Sequence, residues 1–575
     1  MKYLALFPFL LISLLSFTQS NIFTTNPVAG EVLKGNYNPA NYAASNVINH
    51  HDSITKGINL RVNPDSLKAY LFHLATFQNR NTGSDTTSLV TGIGAARKWV
   101  HQRFQQISAE NENRLVVSYL QFDQQICNVN QHKNILAVLP GTDSVNHEVI
   151  IIEGHIDSRC SDVCDSLCLA EGMEDNGSGT ALVLELARVM SRYTYKNTIV
   201  FMATIGEEQG LYGANAFAQY AVDNSIPIKA VLNNDVIGGI YCGQTSSPPS
   251  CPGYGDVDSL QVRLFSYGGF NSSNKQLARF IKLQYKEELV AQVAVPMLLS
   301  IMSAEDRTGR GGDHIPFRQK GFPAMRFTSA NEHGDASNGV GYTDRQHTSS
   351  DILGVDTNND LIIDSFFVDF NYLSRNAVIN GVGATMAAIG PFTPNFSAGV
   401  VNGPGITINI TTQTQYNQYR VGIRTVDNDW DSVYTISSTT DTIYPPQNGV
   451  YFISVASADN DSIESLFSYE VMVLPTGVEE MNSEQNPFEL LQNKPNPFDE
   501  ATIISVKVSK PSAYKTACIE IRDIQGKLVE TLPISLTQEV NEVIYDHGYG
   551  RVGIYSYSLV VDDVIRDTKR MIFAN

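Results

Sequence analysis

The residues best able to do chemistry in this sequence are a spaced set of histidines and carboxylates. His155 and Asp157 stand two apart in Gly154-His155-Ile156-Asp157, so in an extended chain they share one side. Further along come Glu174-Asp175-Asn176-Gly177-Ser178-Gly179, Gly206-Glu207-Glu208, Asp235, Asp313-His314 and Gln346-His347. Taken singly, Asp175 reads as a helix N-cap and the Glu pair as solvated surface. Taken together and in order, they form a donor set for metal. Zinc accepts imidazole nitrogen and carboxylate oxygen. Two histidines and three carboxylates, one of them bridging, suffice for two zinc ions ~3.5–4 Å apart. Such a pair lowers the pKa of a shared water, and a Glu left off the metals can act as general base. The adjacent Glu207 and Glu208 suit that division, one as ligand and the other as proton acceptor.

These groups need a scaffold that brings distant segments to one rim. From about residue 64 to 388 the pattern alternates apolar strands with amphipathic helices. Strands are expected over 133–139, 149–153, 198–203, 229–233 and 324–327, and helices over 91–106, 179–193, 213–220 and 274–284. The rhythm predicts an α/β domain with a mostly parallel, buried sheet flanked by helices. His155, the Glu207-Glu208 pair and Asp235 then fall just beyond three strand ends, where open α/β sheets hold their ligands.

The stretches GHIDS, GMEDNGSG, IGEEQGLYGA, NNDVIG, GGDHIPF and QHTSSD occur in this order. Together they resemble the co-catalytic di-zinc aminopeptidases of the secreted bacterial type, relatives of glutaminyl cyclases and transferrin-receptor-like ectodomains. The resemblance spans roughly residues 65–390. It implies a zinc exopeptidase fold, two Zn2+ per chain and hydrolysis of the N-terminal peptide bond through a metal-bridging water. It gives His155 and Asp235 to one zinc, Glu208 and His347 to the other, and Asp175 to the bridge. Glu207 takes the general-base position, and Asp157 the carboxylate that orients the first histidine. Asn176 falls where the family often has a cis-like peptide. Two departures stand out. Relatives often place Tyr, which stabilises the oxyanion, directly before the last histidine; here Gln346 stands there, and Gln346 or Tyr342 is the substitute. Relatives also place Arg immediately before an Asp-His pair, whereas Arg310 precedes Asp313 and His314 by two intervening glycines. These three are expected in transition-state or supporting roles. The alternatives are a carboxypeptidase of the same fold and a non-catalytic binding module.

The chain has 575 residues, enough for three or four domains at ~150 residues each. With 42% hydrophobic and 17% charged residues it is globular rather than disordered. Lys+Arg 40 against Asp+Glu 59 gives a net charge of −19, which argues against nucleic acid or an anionic membrane as partner; peptide or protein substrates are what the aminopeptidase resemblance implies. Residues 1–20 read as a secretory signal peptide: Lys2, an apolar run, then small residues Thr18 and Ser20 at the cleavage positions. No other stretch is long and apolar enough to span a bilayer. The seven cysteines fit an oxidising, extracellular setting. A local Cys242–Cys251 bridge is expected, and Cys127, Cys160, Cys164 and Cys168 are expected to pair among themselves rather than hold metal.

Residues 21–63 show no clear period and read as a leader or propeptide, followed by the peptidase domain over 64–390. Alternating strands over 391–476 resemble a fibronectin type III β-sandwich. A polar linker covers 477–488. From 489 to 575, the blocks LLQNKPNPF, DIQGK, GIY and KRMI resemble the sorting domain of type IX secretion cargo. That resemblance implies the type IX machinery as a partner and a secreted or outer-surface location.

Overall fold

The computed structural model describes residues 19–242, 256–306, 310–330, 345–401, 405–411, 416–425, 428–445, 450–473, 487–498, 501–509, 514–523, 527–537, 539–546, 553–562 and 564–573. Residues 1–18 of the expected signal peptide, most of the linker, Cys251 and Tyr342 lie outside these. None of the described helices is long and apolar enough to cross a membrane.

The first unit is built on nine strands: β1 (Ser20–Thr24), β2 (Val116–Ile126), β3 (Val129–Leu139), β4 (Val149–His155), β5 (Thr198–Thr204), β6 (Ile228–Asn234), β7 (Gln261–Phe265), β8 (Leu298–Ile301) and β9 (Ala324–Ser329). Their order across the sheet is β1-β2-β3-β5-β4-β6-β9-β7-β8. The central strands β5, β4, β6 and β9 are parallel. On one side β1, β2 and β3 join antiparallel, and β3 meets β5 antiparallel. On the other, β7 and β8 are parallel to each other while β7 is antiparallel to β9. The sheet is therefore mixed, not mostly parallel. Strand direction is set by connections rather than by the strand's own residues: Cys127 and Asn128 alone join β2 to β3, and so short a link forces an antiparallel pair.

Nine α-helices accompany the sheet among the described residues: α1 (Pro27–Leu33), α2 (His51–Arg61), α3 (Pro64–Ala75), α4 (Gly92–Glu110), α5 (Ser178–Met190), α6 (Tyr212–Asp223), α7 (Ser273–Gln284), α8 (His314–Gln319) and α9 (Phe370–Ile389). Every residue of β4, β5 and β6 is buried, as strands covered by helices on both faces must be. That explains the unbroken apolar run Val149-Ile150-Ile151-Ile152, where each side chain contributes about 1.5–3 kcal/mol by burial. Residues 21–63, expected to be a leader, are built into this unit. β1 forms a sheet edge, and Ala29, Val32, Leu33, Ile54 and Ile58 are fully buried in the main core. The helices there are too short to print a period on the sequence.

Two β-rich units follow. In the first, strands Asn395–Val401, Gly405–Thr411 and Thr440–Ile443 form one sheet, and Ser432–Ile436, Gln418–Arg424, Tyr451–Ala458 and Val471–Val473 the other. Ile406, Ile408, Val421, Ile453 and Val455 fill the space between them. The last unit repeats the three-plus-four arrangement around Leu490, Ile504, Val506, Ile519 and Leu559.

The first sandwich is clamped to α7. Glu470 accepts hydrogen bonds from Arg424 and from Arg279 of α7, and Gln284 of α7 donates to Glu464. Trp430 packs against Phe467 at this joint.

Candidate active site

The rim formed by the carboxyl ends of β4, β5 and β6 collects the groups singled out in the sequence. His155 ends β4, Glu207 and Glu208 follow β5, and Asp235 follows β6. Asp175 lies in the turn that leads into α5, and the Asp175–Asn176 peptide is cis. Asn176 locks this turn in place: its Oδ1 accepts from Gly179 N, and its Nδ2 donates to the Asn234 carbonyl at the end of β6. Gly179 is required at the start of α5, because a Cβ there would strike that same carbonyl.

Asp175 sits between the two histidines. Its Oδ1 is 3.2 Å from His155 Nε2, and its Oδ2 is 3.0 Å from His347 Nε2. His155 Nε2 also lies 3.4 Å from Asp235 Oδ1, and His347 Nε2 lies 3.2 Å from Glu208 Oε2. Glu207 Oε2 is 4.0 Å from His155 Nε2. One donor atom each from His155, Asp175 and Glu208 falls within 4.8 Å of the others, as does one each from His155, Glu207 and Asp235.

The electrostatics follow from crowding acids and imidazoles out of water. Burial works against charge on His155, yet Glu207, Asp157, Asp175 and Asp235 hold it well above the usual imidazole range. His347 is likewise raised to about 9, burial being outweighed by Asp175 and Glu208. Burial opposes ionisation of Asp175, but the two histidines keep it well below the usual carboxylate range. Glu207 goes the other way: burial lifts it well above that range, opposed by His155 and reinforced by Asp235 and Glu208.

The donor set is nitrogen and oxygen throughout, as zinc prefers. Glu208 Oε1 is buried and meets no hydrogen-bond donor among the described residues, a deficit a cation would fill. The residues present therefore fit zinc.

A ring of partners holds these side chains. The Asp157 carboxylate accepts from Glu207 N, Glu208 N and Thr82 Oγ1. The nearest acceptor to His155 Nδ1 is the Asp157 carbonyl at 3.1 Å, with the carboxylate at 3.6 Å. Arg326, fully buried on β9, pairs with Asp235 at 3.1 Å and Asp306 at 2.9 Å. Gln346 Nε2 donates to Asp175 Oδ2 at 2.5 Å. Asp313 and His314 stand behind the cluster: Asp313 accepts from Thr204, and burial raises it to about 7 against the pull of His155. His314 Nε2 meets the Glu305 carbonyl. Arg310 Nη1 lies 3.2 Å from His347 Nδ1.

Besides Arg326, three contributors were not singled out in the sequence. Asp351 accepts from the backbone N–H groups of Glu174 and Asp175 at 2.9 and 3.0 Å. Glu174 Oε1 accepts from Gly238 N and Gly239 N. Arg159 Nε donates to Glu208 Oε2 at 2.8 Å, and its Nη2 lies 2.6 Å from His347 Nδ1. The signal for Asp351 was its place in the same QHTSSD stretch as His347. Next to Arg159, the bridges Cys127–Cys164 and Cys160–Cys168 pin the loop, as expected of these four cysteines. Cys242 is disulfide-bonded, while Cys251 lies outside the described residues.

The model of peptidase family M28 matches residues 134–363. A probable zinc metalloprotease of Leptosphaeria maculans is 31% identical over 332 residues, covering 56% of this chain and 73% of that protein. The chain belongs to peptidase family M28. A probable zinc metalloprotease of Pyrenophora tritici-repentis is also similar, 30% identical over 374 residues, covering 63% of this chain and 80% of that one. Among solved structures, the LapA aminopeptidase of Legionella pneumophila aligns over 60% of this chain and 76% of its own, at 19% identity and a TM-score of 0.43. The stretch matched by the M28 model holds every residue of the histidine–carboxylate cluster and stops before both β-rich units.

Proposed function

We propose that this M28 chain is a secreted, zinc-dependent aminopeptidase that binds two Zn2+ and hydrolyses the N-terminal peptide bond of peptides. The observation that carries the reading is Asp175, whose two oxygens face two histidines, each of which has a further carboxylate of its own. In this reading His155 and Asp235 would hold one ion and Glu208 and His347 the other, with Asp175 shared between them. Zinc supplies Lewis-acid polarisation of the scissile carbonyl and makes water nucleophilic near neutral pH. Glu207 takes a proton from the attacking water and returns it to the leaving amine nitrogen, a task suited to a carboxyl whose proton affinity is raised by burial. Asp157 fixes the backbone of Glu207 and Glu208, and through its carbonyl the His155 ring. Gln346, hydrogen-bonded to Asp175, is positioned to support negative charge on the attacked oxygen.

The remaining parts serve export and assembly. In this reading residues 1–20 are a signal peptide, 391–476 a fibronectin-III-like module docked on the peptidase unit, and 489–575 a type IX sorting domain that directs the enzyme outside the cell.

The test is hydrolysis of matched aminoacyl and N-acetyl-aminoacyl chromogenic substrates, with chelator and then with zinc restored. Cleavage confined to the free-amine series, lost on chelation and regained with zinc, is expected. Cleavage of blocked peptides from the carboxyl end would make the chain a carboxypeptidase. A zinc-loaded protein inert to all substrates would make it a binding module.

A further inference from the structure

The cavity over the cluster, about 400 Å³, is lined by Asp175, Glu207, Glu208 and Asp235, but also by Arg159 and Arg310. Two guanidiniums in a site meant for a cationic amine are an unexpected feature, because they repel that amine. They are not spread evenly. On the Asp235 side the cavity wall is acidic, with Glu207 and Asp235 lining it and Arg326 reaching Asp235 from beneath, whereas Arg159 and Arg310 converge on His347, within 2.6 and 3.2 Å of the same ring nitrogen. Nor is Arg159 a loose surface side chain: it is anchored on Glu208 and directly precedes Cys160, in a loop pinned by two disulfides. A ring that binds metal through Nε2 carries its proton on Nδ1 and offers no lone pair there. Both guanidiniums then have N–H donors to spare at the cavity wall, and paired guanidinium donors match the two oxygens of a carboxylate.

The geometry points to a carboxylate-binding subsite formed by Arg159 and Arg310 that receives the residue following the scissile bond. This rests on the aminopeptidase reading. A protonated terminal amine settles away from the guanidiniums, toward Asp235, so the chain beyond the scissile bond passes next to them. The enzyme then prefers short peptides in which that second residue carries a carboxylate: the free C-terminus of a dipeptide, or an acidic side chain. A neutral amide at the same place leaves the pair without its counter-charge.

The experiment compares kcat/KM of the zinc-loaded full chain for Leu-Gly against Leu-Gly amide, and for Leu-Asp amide against Leu-Asn amide. Calorimetry on the same protein, with a reduced and uncleavable analogue of the Leu-Gly acid and amide, reads binding apart from turnover. The acid is expected to be favoured roughly ten- to hundredfold in both readouts, as for hydrogen bonds to a charged group. Arg310→Gln is expected to shrink that ratio by about tenfold. A preference in the first pair alone assigns the subsite to the terminal carboxylate, and in the second pair alone to an acidic side chain. Acid-to-amide ratios near one in both pairs, with the amides still cleaved, would overturn the subsite and leave the aminopeptidase intact. No cleavage of any free-amine peptide would overturn the aminopeptidase reading and the subsite with it.

Discussion

Asp351 offers a sharp test of how the bridging carboxylate is held. It touches neither histidine, yet its two oxygens take the N–H groups of Glu174 and Asp175 at 2.9 and 3.0 Å, in a buried setting. Asp351→Asn keeps the volume but leaves one acceptor oxygen where there were two, and turns an NH2 group toward a backbone donor. Loss of one charge-assisted hydrogen bond costs about 1.5–3 kcal/mol. If that cost falls on the orientation of Asp175, zinc affinity drops by about ten- to hundredfold, since 1.4 kcal/mol is about a factor of ten. The same range is seen when partners of metal ligands are removed. The assay is competition against a chromogenic chelator, with melting of the chelated protein measured alongside to separate folding from binding. A variant that melts earlier but binds zinc within about twofold of the parent would refute the reasoning, because Asp351 would then hold the turn without aiming Asp175.

Further outcomes are expected elsewhere in the chain. Glu207→Gln should retain zinc by elemental analysis while turnover falls about 10²–10⁴-fold. Glu470→Gln leaves Arg279 and Arg424 buried without their shared counter-ion, which should cost about 3–5 kcal/mol of stability in urea unfolding. In a Trp99→Phe background, Trp430 emission should report the sandwich leaving α7. Glu464, at the same joint, is pushed up to about 8 by burial, with Arg420 opposing. The native state then holds a proton between roughly pH 4.5 and 8 that the unfolded chain has released, so this contribution to stability is full below that window and lost as pH rises through 8. Glu464→Gln should remove that slope, read as unfolding free energies at pH 5 and pH 8.

The sequence disclosed the centre of the peptidase unit better than its edges. β4 and β5 are buried on both faces and so show the apolar runs 149–152 and 199–203, β6 shows the shorter run 230–232, and the residues just past these strands are where chemistry collects. β2 and β7 are harder to see. β2 alternates buried and half-buried residues without a plain apolar block, and β7 carries the buried Arg263 in its middle. The antiparallel flanks depend on connections that no strand encodes. Residues 21–63 read as a leader or propeptide because a five-residue strand and helices of two or three turns leave too few repeats to establish a period. At the site, types and spacing were enough to single out His155, Asp175, Glu207, Glu208, Asp235 and His347. Asp351, Glu174 and Arg326 were missed because their task is to hold other groups, and an ordinary Asp, Glu or Arg carries no local mark of its distant partner. Arg159 is a special case, since only the folded loop brings it from β4 to His347.

The central claim is that Asp175 stands between two zinc ions. Anomalous diffraction at the zinc edge from crystals of the zinc-loaded protein tests it most directly. Two peaks ~3.5–4 Å apart, one on the His155–Asp235 side of Asp175 and one on the Glu208–His347 side, are expected. A single peak at full occupancy, or two peaks that Asp175 does not link, would contradict it.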